Sequence, residues 1–129
     1  MNIEIPVSIG ELIDKISILK IKLDQISQPE KKLNIKNELD ILNEYYFKIK
    51  NEHLEIEKFL NELIKVNLEI WDLQEISKNK IINKELDFNY LEITTQIHNL
   101  NDLRFEIKKE INLSFNSEII EEKSYKKYQ

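Results

Sequence analysis

Residues 8–26 of this chain, SIGELIDKISILKIKLDQI, decide its fold class. Ser8 with Glu11 three residues later is a capping-box pattern, which predicts that a helix begins here. The predicted helix runs from Ile9 to Ile26 and has one broad apolar face. That face consists of Ile9, Leu12, Ile13, Ile16, Leu19, Leu23 and Ile26. Because this spacing follows the 3.6-residue period of an α-helix, the stretch predicts an amphipathic helix that packs against other helices.

A second stripe on nearly the opposite side of the same predicted helix consists of Glu11, Asp14, Ile18, Ile21 and Gln25. A helix with apolar residues on two sides is usually packed on two sides. Two arrangements satisfy this pattern, a central position in a bundle or a contact with a second copy of the chain. The second arrangement predicts a homo-oligomer, in the simplest case a dimer.

Two more helices follow in the middle of the chain. The second is predicted to begin at the start signal around Pro29 and to end near His53, because proline is tolerated in the first turn of a helix. The third is predicted over Glu55–Ser77, followed by a loop over the Asn- and Lys-rich stretch Lys78–Lys84. The core stripe of the second helix is formed by Ile35, Leu39, Leu42, Tyr46 and Ile49.

The fourth helix is predicted over Leu86–Phe115, where Asn116 favours the left-handed conformation that ends a helix. Residues 2–7 alternate apolar and polar side chains and predict a short extended segment. Residues 118–129 are predicted to form either a short helix or a solvated arm. The sequence therefore predicts an all-α fold, a helical bundle of about four helices in a single domain over residues 1–129.

The composition excludes several classes of function. The chain has 129 residues, no cysteine, a net charge of −5 and a pI of about 5.2. Thiolate chemistry is excluded, and His53 and His98 are too far apart to suggest a zinc site, so no metal or cofactor is predicted. An acidic balance argues against nucleic-acid binding. Because no apolar run approaches about 18 residues and no signal peptide opens the chain, we expect a cytoplasmic protein without membrane contact.

Arg104, the only arginine of the chain, breaks the core stripe of the fourth predicted helix. The other seven positions of that stripe are apolar or aromatic: Leu86, Tyr90, Ile93, Ile97, Leu100, Ile107 and Ile111. A charged side chain at such a position needs an ionic partner or a cavity, because an unpaired buried charge is costly. Arginine also offers a planar pair of donors that lysine cannot offer, which suits a carboxylate or a phosphate.

Polar residues on three predicted helices could surround this arginine. They are Asn101, Arg104, Lys108 and Asn112 on the fourth helix, Glu11, Asp14 and Lys15 on the first, and Asn67, Trp71 and Glu75 on the third. The set has two interpretations. One is a pocket that binds a small anion or a partner protein. The other is a buried ion-pair network that fixes the register of the helices.

Two enzymatic alternatives stay open beside a binding module. In the first, Arg104 and Lys108 hold a carboxylate or phosphate substrate while Glu11 or Asp14 acts as acid or base. This arrangement resembles the small helical chorismate mutases in architecture only. The second and more distant alternative is a magnesium-dependent nucleotide pyrophosphatase, which would use the acidic series Glu69-x-x-Asp72-x-x-Glu75.

The chain resembles a family of short bacterial and bacteriophage helical proteins, a domain of unknown function. The resemblance is carried by residues 5–15, IPVSIGELIDK, by Trp71-Asp72, by Asn101-Asp102-x-Arg104 with Lys108 and Asn112, and by residues 121–125, EEKSY. It covers nearly the whole chain. It implies a shared helical fold and no particular activity.

Overall fold

The computed structural model describes residues 1–124, which form four helices: α1 (Ile9–Gln25), α2 (Pro29–Glu52), α3 (Ile56–Ile82) and α4 (Phe88–Ser114). There is no strand within these residues, so the prediction of an all-α bundle of four helices is confirmed. Residues 118–124 are not helical, and the last five residues of the predicted C-terminal segment lie outside the described part of the chain. No helix within residues 1–124 is both long enough and apolar enough to cross a membrane.

Helix α1 lies at the centre of the bundle and contacts each of the other three helices. Helices α3 and α4 pack along each other as a hairpin, whereas α2 packs mainly on α1 and does not contact α4. The second stripe of α1 is therefore used inside the chain, because Glu11 and Asp14 bond to α4 and Ile21 is buried. The central position of α1 accounts for its two-sided pattern. The second stripe therefore gives no support to a dimer, and self-association stays a prediction.

One hydrophobic core joins all four helices. Its fully buried members are Ile13, Ile16, Ile56, Leu63 and Ile111. The stripe predicted for α2 contributes as expected, with Ile35, Leu39 and Tyr46 buried and Leu42 and Ile49 packed at the edge. Most of the core lies toward the start of α3 and the end of α4, where α1 crosses them. The polar residues discussed below lie at the same end.

The predicted helix ends are confirmed where a cap marks them. The Ser8 hydroxyl accepts a hydrogen bond from the Glu11 amide at 3.0 Å, so α1 begins where predicted. Asn116, just past the end of α4, has φ = 57°, as expected for the left-handed conformation. The Glu11 carboxylate does not close the predicted capping box, because it accepts a hydrogen bond from Lys108 instead.

The predicted boundary between α3 and α4 is wrong. Helix α3 continues through most of the predicted loop to Ile82, because the stretch contains no Gly or Pro and its Asn and Lys side chains face solvent. Helix α4 begins at Phe88 after Asp87, whose carboxylate accepts a hydrogen bond from the Tyr90 amide at 2.9 Å. Leu86 therefore precedes α4, and it is exposed rather than part of the core stripe.

Candidate functional site

Arg104 and Asp14 form a two-point ion pair between α4 and α1. Arg104 Nε donates to Asp14 Oδ1 at 2.9 Å, and Nη2 donates to Oδ2 at 2.5 Å. Asp14 is only 1% exposed, and Arg104 is partly buried. The planar guanidinium matches the two carboxylate oxygens, which a lysine could not do. The arginine that interrupts the core stripe thus has an ionic partner 90 residues away in the chain.

Asn67 brings α3 to the same carboxylate. Its Nδ2 donates to Asp14 Oδ1 at 2.9 Å and to Ser17 Oγ at 2.8 Å. The Ser17 hydroxyl in turn donates to the Asp14 carbonyl oxygen at 2.6 Å. Because buried polar groups that are fully bonded specify one arrangement of their elements, these contacts fix the register of α1 against α3 and α4.

Lys108 completes this group one turn along α4. Its Nζ donates to Glu11 Oε2 at 2.7 Å and lies 3.8 Å from Asp14 Oδ2. We call Glu11, Asp14, Asn67, Arg104 and Lys108 the polar cluster. It holds two cations and two carboxylates, so its side chains carry no net charge when all four are ionised.

The electrostatics of the polar cluster favour the ionised pair. Burial raises the pKa of Asp14, but hydrogen bonds from Arg104 and Asn67, with the charges of Arg104 and Lys108, outweigh burial and hold that pKa below its ordinary value. The hydrogen bond to Asp14 raises the pKa of Arg104, against the opposing effect of burial. Asp14 is therefore a carboxylate at neutral pH with both oxygens engaged.

Asn112 serves a second group of contacts at the start of α1. Its Oδ1 accepts a hydrogen bond from the Gly10 amide at 2.6 Å, and its Nδ2 donates to Glu121 Oε1 at 3.1 Å. The Ser8 hydroxyl donates to the other oxygen of Glu121 at 2.8 Å. A Cβ atom on Gly10 would lie 2.5 Å from the Lys108 carbonyl oxygen. The only glycine of the chain thus lets α1 and α4 approach closely. The Glu121 carboxylate links the two helices by accepting hydrogen bonds from Ser8 and Asn112.

An open cavity of about 410 Å³ lies on the solvent side of the polar cluster. It is lined by His98, Asn101, Asp102, Arg104, Phe105, Lys108 and Lys123. Lys123, from the segment after α4, donates to Asp102 Oδ1 at 3.1 Å, and its Nζ lies 5.0 Å from the centre of the Phe105 ring. Within the described part of the chain, three cationic side chains and one carboxylate therefore line the cavity.

A family model described as "Family of unknown function (DUF6165)" matches residues 1–128. This chain belongs to the DUF6165 family. The match agrees with the resemblance to a domain of unknown function over nearly the whole sequence. No curated protein and no solved structure matches the chain. Membership of DUF6165 assigns no activity, so a function can be proposed only from the chemistry of the site.

The ten predicted site residues, Arg104 among them, are only partly brought together in this DUF6165 protein. Five form the polar cluster, and Asn101 lines the cavity. Asn112 lies on α4 one turn beyond Lys108, where it bonds to the start of α1. Trp71 is partly buried, and its indole N–H finds no acceptor within residues 1–124.

Two of the predicted members lie outside the polar cluster. Lys15 is exposed, because it follows Asp14 by one residue and so points about 100° away around the helix. Glu75 is also exposed and lies eight residues beyond Asn67, about 12 Å farther along α3.

The acidic series on α3 does not form a metal site. Glu69 and Asp72 line a separate open cavity of about 510 Å³, while Glu75 does not. Within residues 1–124, no three His, Asp or Glu side chains lie close enough together to hold a metal ion. The magnesium-dependent alternative therefore has no ligand set in the described part of the chain.

The sequence prediction missed several residues that shape the site. Ser8 and Ser17 are buried and bonded, and Glu121 and Lys123 bring the C-terminal segment to α1 and α4. A signal existed instead for residues of α4 that line the cavity. His98, Asn101, Asp102 and Phe105 follow the i, i+3, i+4, i+7 spacing of one helix face, which places them on a shared surface.

Proposed function

We propose that this DUF6165 protein is a binding module for a small anion, a carboxylate or a phosphate, which the cavity beside the polar cluster holds. One observation carries the proposal. Although the chain is acidic overall, Arg104, Lys108 and Lys123 line this cavity, and Asp102 is the only carboxylate of its lining among residues 1–124. Cationic side chains on a concave surface can donate charge-assisted hydrogen bonds to an anion even where neighbouring carboxylates balance their charge.

The polar cluster supports binding by holding the cations in place. Asp14 engages Nε and Nη2 of Arg104, and the Nη1 donors take no part in that pair. Lys108 has one hydrogen bond to Glu11 and two further donors on its ammonium group. Because Arg104 and Lys108 are held before a ligand arrives, little side-chain entropy is lost on binding. The structural and binding interpretations of Arg104 are thus compatible.

Catalysis is less well supported than binding. The enzymatic alternative needs Glu11 or Asp14 to accept or donate a proton. Both oxygens of Asp14 are engaged by Arg104, and its low pKa keeps it ionised at neutral pH. Glu11 is engaged by Lys108. We therefore favour a module that binds an anion and does not transform it.

The test is a titration of the ¹⁵N-labelled protein with inorganic phosphate and, separately, with succinate at low ionic strength. We expect saturable shifts of amide signals around residues 98–108. Lys123→Gln removes one charge of the cavity from a segment outside the helices and should weaken binding about tenfold, the effect of one charge-assisted hydrogen bond.

The matched control is Lys80→Gln, which removes a paired lysine near the opposite end of α4. Binding by this variant should equal that of the wild type. The proposal is overturned when neither anion gives saturable shifts, or when the two lysine variants weaken binding equally.

A further inference from the structure

Asp102, which lines the cavity, has one carboxylate oxygen without a hydrogen-bond donor within the described residues. Asp102 is 9% exposed, and its Oδ1 accepts a hydrogen bond from Lys123. Its Oδ2 is buried and accepts no hydrogen bond from any residue between 1 and 124. A buried carboxylate oxygen without a donor is unfavourable and rare in folded proteins, so a missing partner is expected beside it.

The lining residues of α4 are arranged in order around the helix. With about 100° per residue, Asn101 and Phe105 lie in the middle, Arg104 and Lys108 on one side, and His98 and Asp102 on the other. Arg104 and Lys108 therefore lie on one side of the cavity, and Asp102, with Lys123 bonded to its other oxygen, lies on the opposite side. A ligand that spans the cavity meets both kinds of group.

From this arrangement we infer that the ligand of the cavity carries a hydrogen-bond donor, an ammonium or a hydroxyl group, next to its anionic group. The inference rests on the proposed function, because it assumes that an anion binds beside Arg104 and Lys108. It narrows the ligand class from any small anion to amino acids and hydroxylated acids or their phosphate counterparts. Neighbouring atoms cover Asp102 Oδ2, so the inference requires the Lys123 side chain, which contacts Asp102 and Phe105, to move aside when the ligand binds.

Three probes differ only in the group at issue. Succinate, malate and aspartate share two carboxylates and carry at the second carbon a hydrogen, a hydroxyl and an ammonium group, respectively. We expect the wild type to bind malate and aspartate about tenfold more tightly than succinate, since each donor gains a hydrogen bond to a charged acceptor. The measurement is the dissociation constant from calorimetry or from amide shifts.

The variant Asp102→Ala removes the acceptor and keeps a residue that favours helix. Its affinity for aspartate should fall about tenfold while its affinity for succinate stays level or rises, because one negative charge has left the cavity. A loss of affinity for aspartate without a loss for succinate cannot come from unfolding, which would weaken both. The control is Asp72→Ala, an exposed helical aspartate that lines the other cavity and should leave all three affinities unchanged.

The outcomes separate the inference from the proposed function. Equal affinities for the three acids in the wild type, each weakened by Lys123→Gln, leave the anion module standing and overturn the requirement for a donor. A preference for aspartate that survives in Asp102→Ala also overturns it. If neither phosphate nor any of the three acids binds saturably, both the inference and the proposed function are overturned.

Discussion

Two ion pairs at opposite ends of the α3–α4 hairpin use similar groups in different surroundings. Asp14 and Arg104 are 90 residues apart in the chain, and the Asp14 side chain is 1% exposed. Lys80 and Asp87 are seven residues apart across the turn, and the Asp87 side chain is 54% exposed. The first pair joins α1 to α4, whereas the second pair lies within one hairpin.

The difference lies in what remains when one partner is removed. At the exposed end, water solvates the remaining charge, so an ion pair there contributes little. At the buried end, removing Arg104 takes the two-point partner from a carboxylate that has almost no contact with solvent, and the cost is several kcal/mol. The buried pair also joins two helices that are distant in the chain, α1 and α4. The value of each pair can be tested by removing one partner at a time.

The largest effect is expected from Arg104→Leu. This change leaves Asp14 buried with only Asn67 and Lys108 nearby, so we expect the free energy of unfolding to fall by about 3–5 kcal/mol. Urea denaturation followed by circular dichroism measures it. A loss below about 1 kcal/mol would show that the pair is not needed for the fold and would assign Arg104 to binding alone.

The pH dependence of the same pair follows from the lowered pKa of Asp14. A folded-state pKa below the unfolded value gives stability that is fully present above about pH 3.9 and is lost as the pH falls through the folded pKa. We therefore expect the stability difference between wild type and Asp14→Asn to be constant from pH 7 to pH 5 and to shrink below pH 4. Denaturant titrations at each pH measure this difference. The contributions of the other carboxylates to the pH dependence cancel, because both proteins contain them. A change between pH 5 and pH 7 would contradict it.

Gly10→Ala tests the close approach of α1 and α4 at the buried end. The added Cβ would lie 2.5 Å from a backbone oxygen of Lys108, which cannot turn aside as a side chain could. We expect the free energy of unfolding to fall by about 1–3 kcal/mol, the usual cost of overpacking. Thermal unfolding measures the loss, with the exposed α1 variant Lys15→Ala as a control expected to keep wild-type stability. Equal stability of both variants would show that the helices can separate without cost.

The two ends of the hairpin also differ in what the sequence could predict. The pairing of Arg104 with a carboxylate of α1 was foreseeable, because a lone arginine in an apolar stripe requires a partner and Asp14 lies on the second stripe of α1. The end of α3 was not foreseeable from composition, since polar residues in an exposed helix resemble those of a loop. Asp87 was the overlooked signal, a helix cap that places the start of α4.

Contacts that join the chain ends could not be read from helical periodicity. Ser8 and Glu121 are 113 residues apart, and Glu121 lies in a segment without secondary structure. Periodicity specifies which side of a helix is buried, but it does not specify where a non-helical segment folds back. The wall of the cavity that Lys123 provides was missed for the same reason.

The smallest effect is expected from Lys80→Gln at the exposed end. The pKa of Asp87 is lowered first by the hydrogen bond from the Tyr90 amide and only then by Lys80, so the carboxylate acts mainly as the cap of α4. We expect Lys80→Gln to change the urea midpoint by a small fraction of the change in Arg104→Leu. In 1 M salt, where the screening length is about 3 Å, its difference from the wild type should vanish. Asp87→Ala should lower stability more than Lys80→Gln, while Asp87→Asn keeps the cap and stays close to the wild type. A loss in Lys80→Gln as large as in Asp87→Ala would show that the ion pair, and not the cap, holds this end of the hairpin.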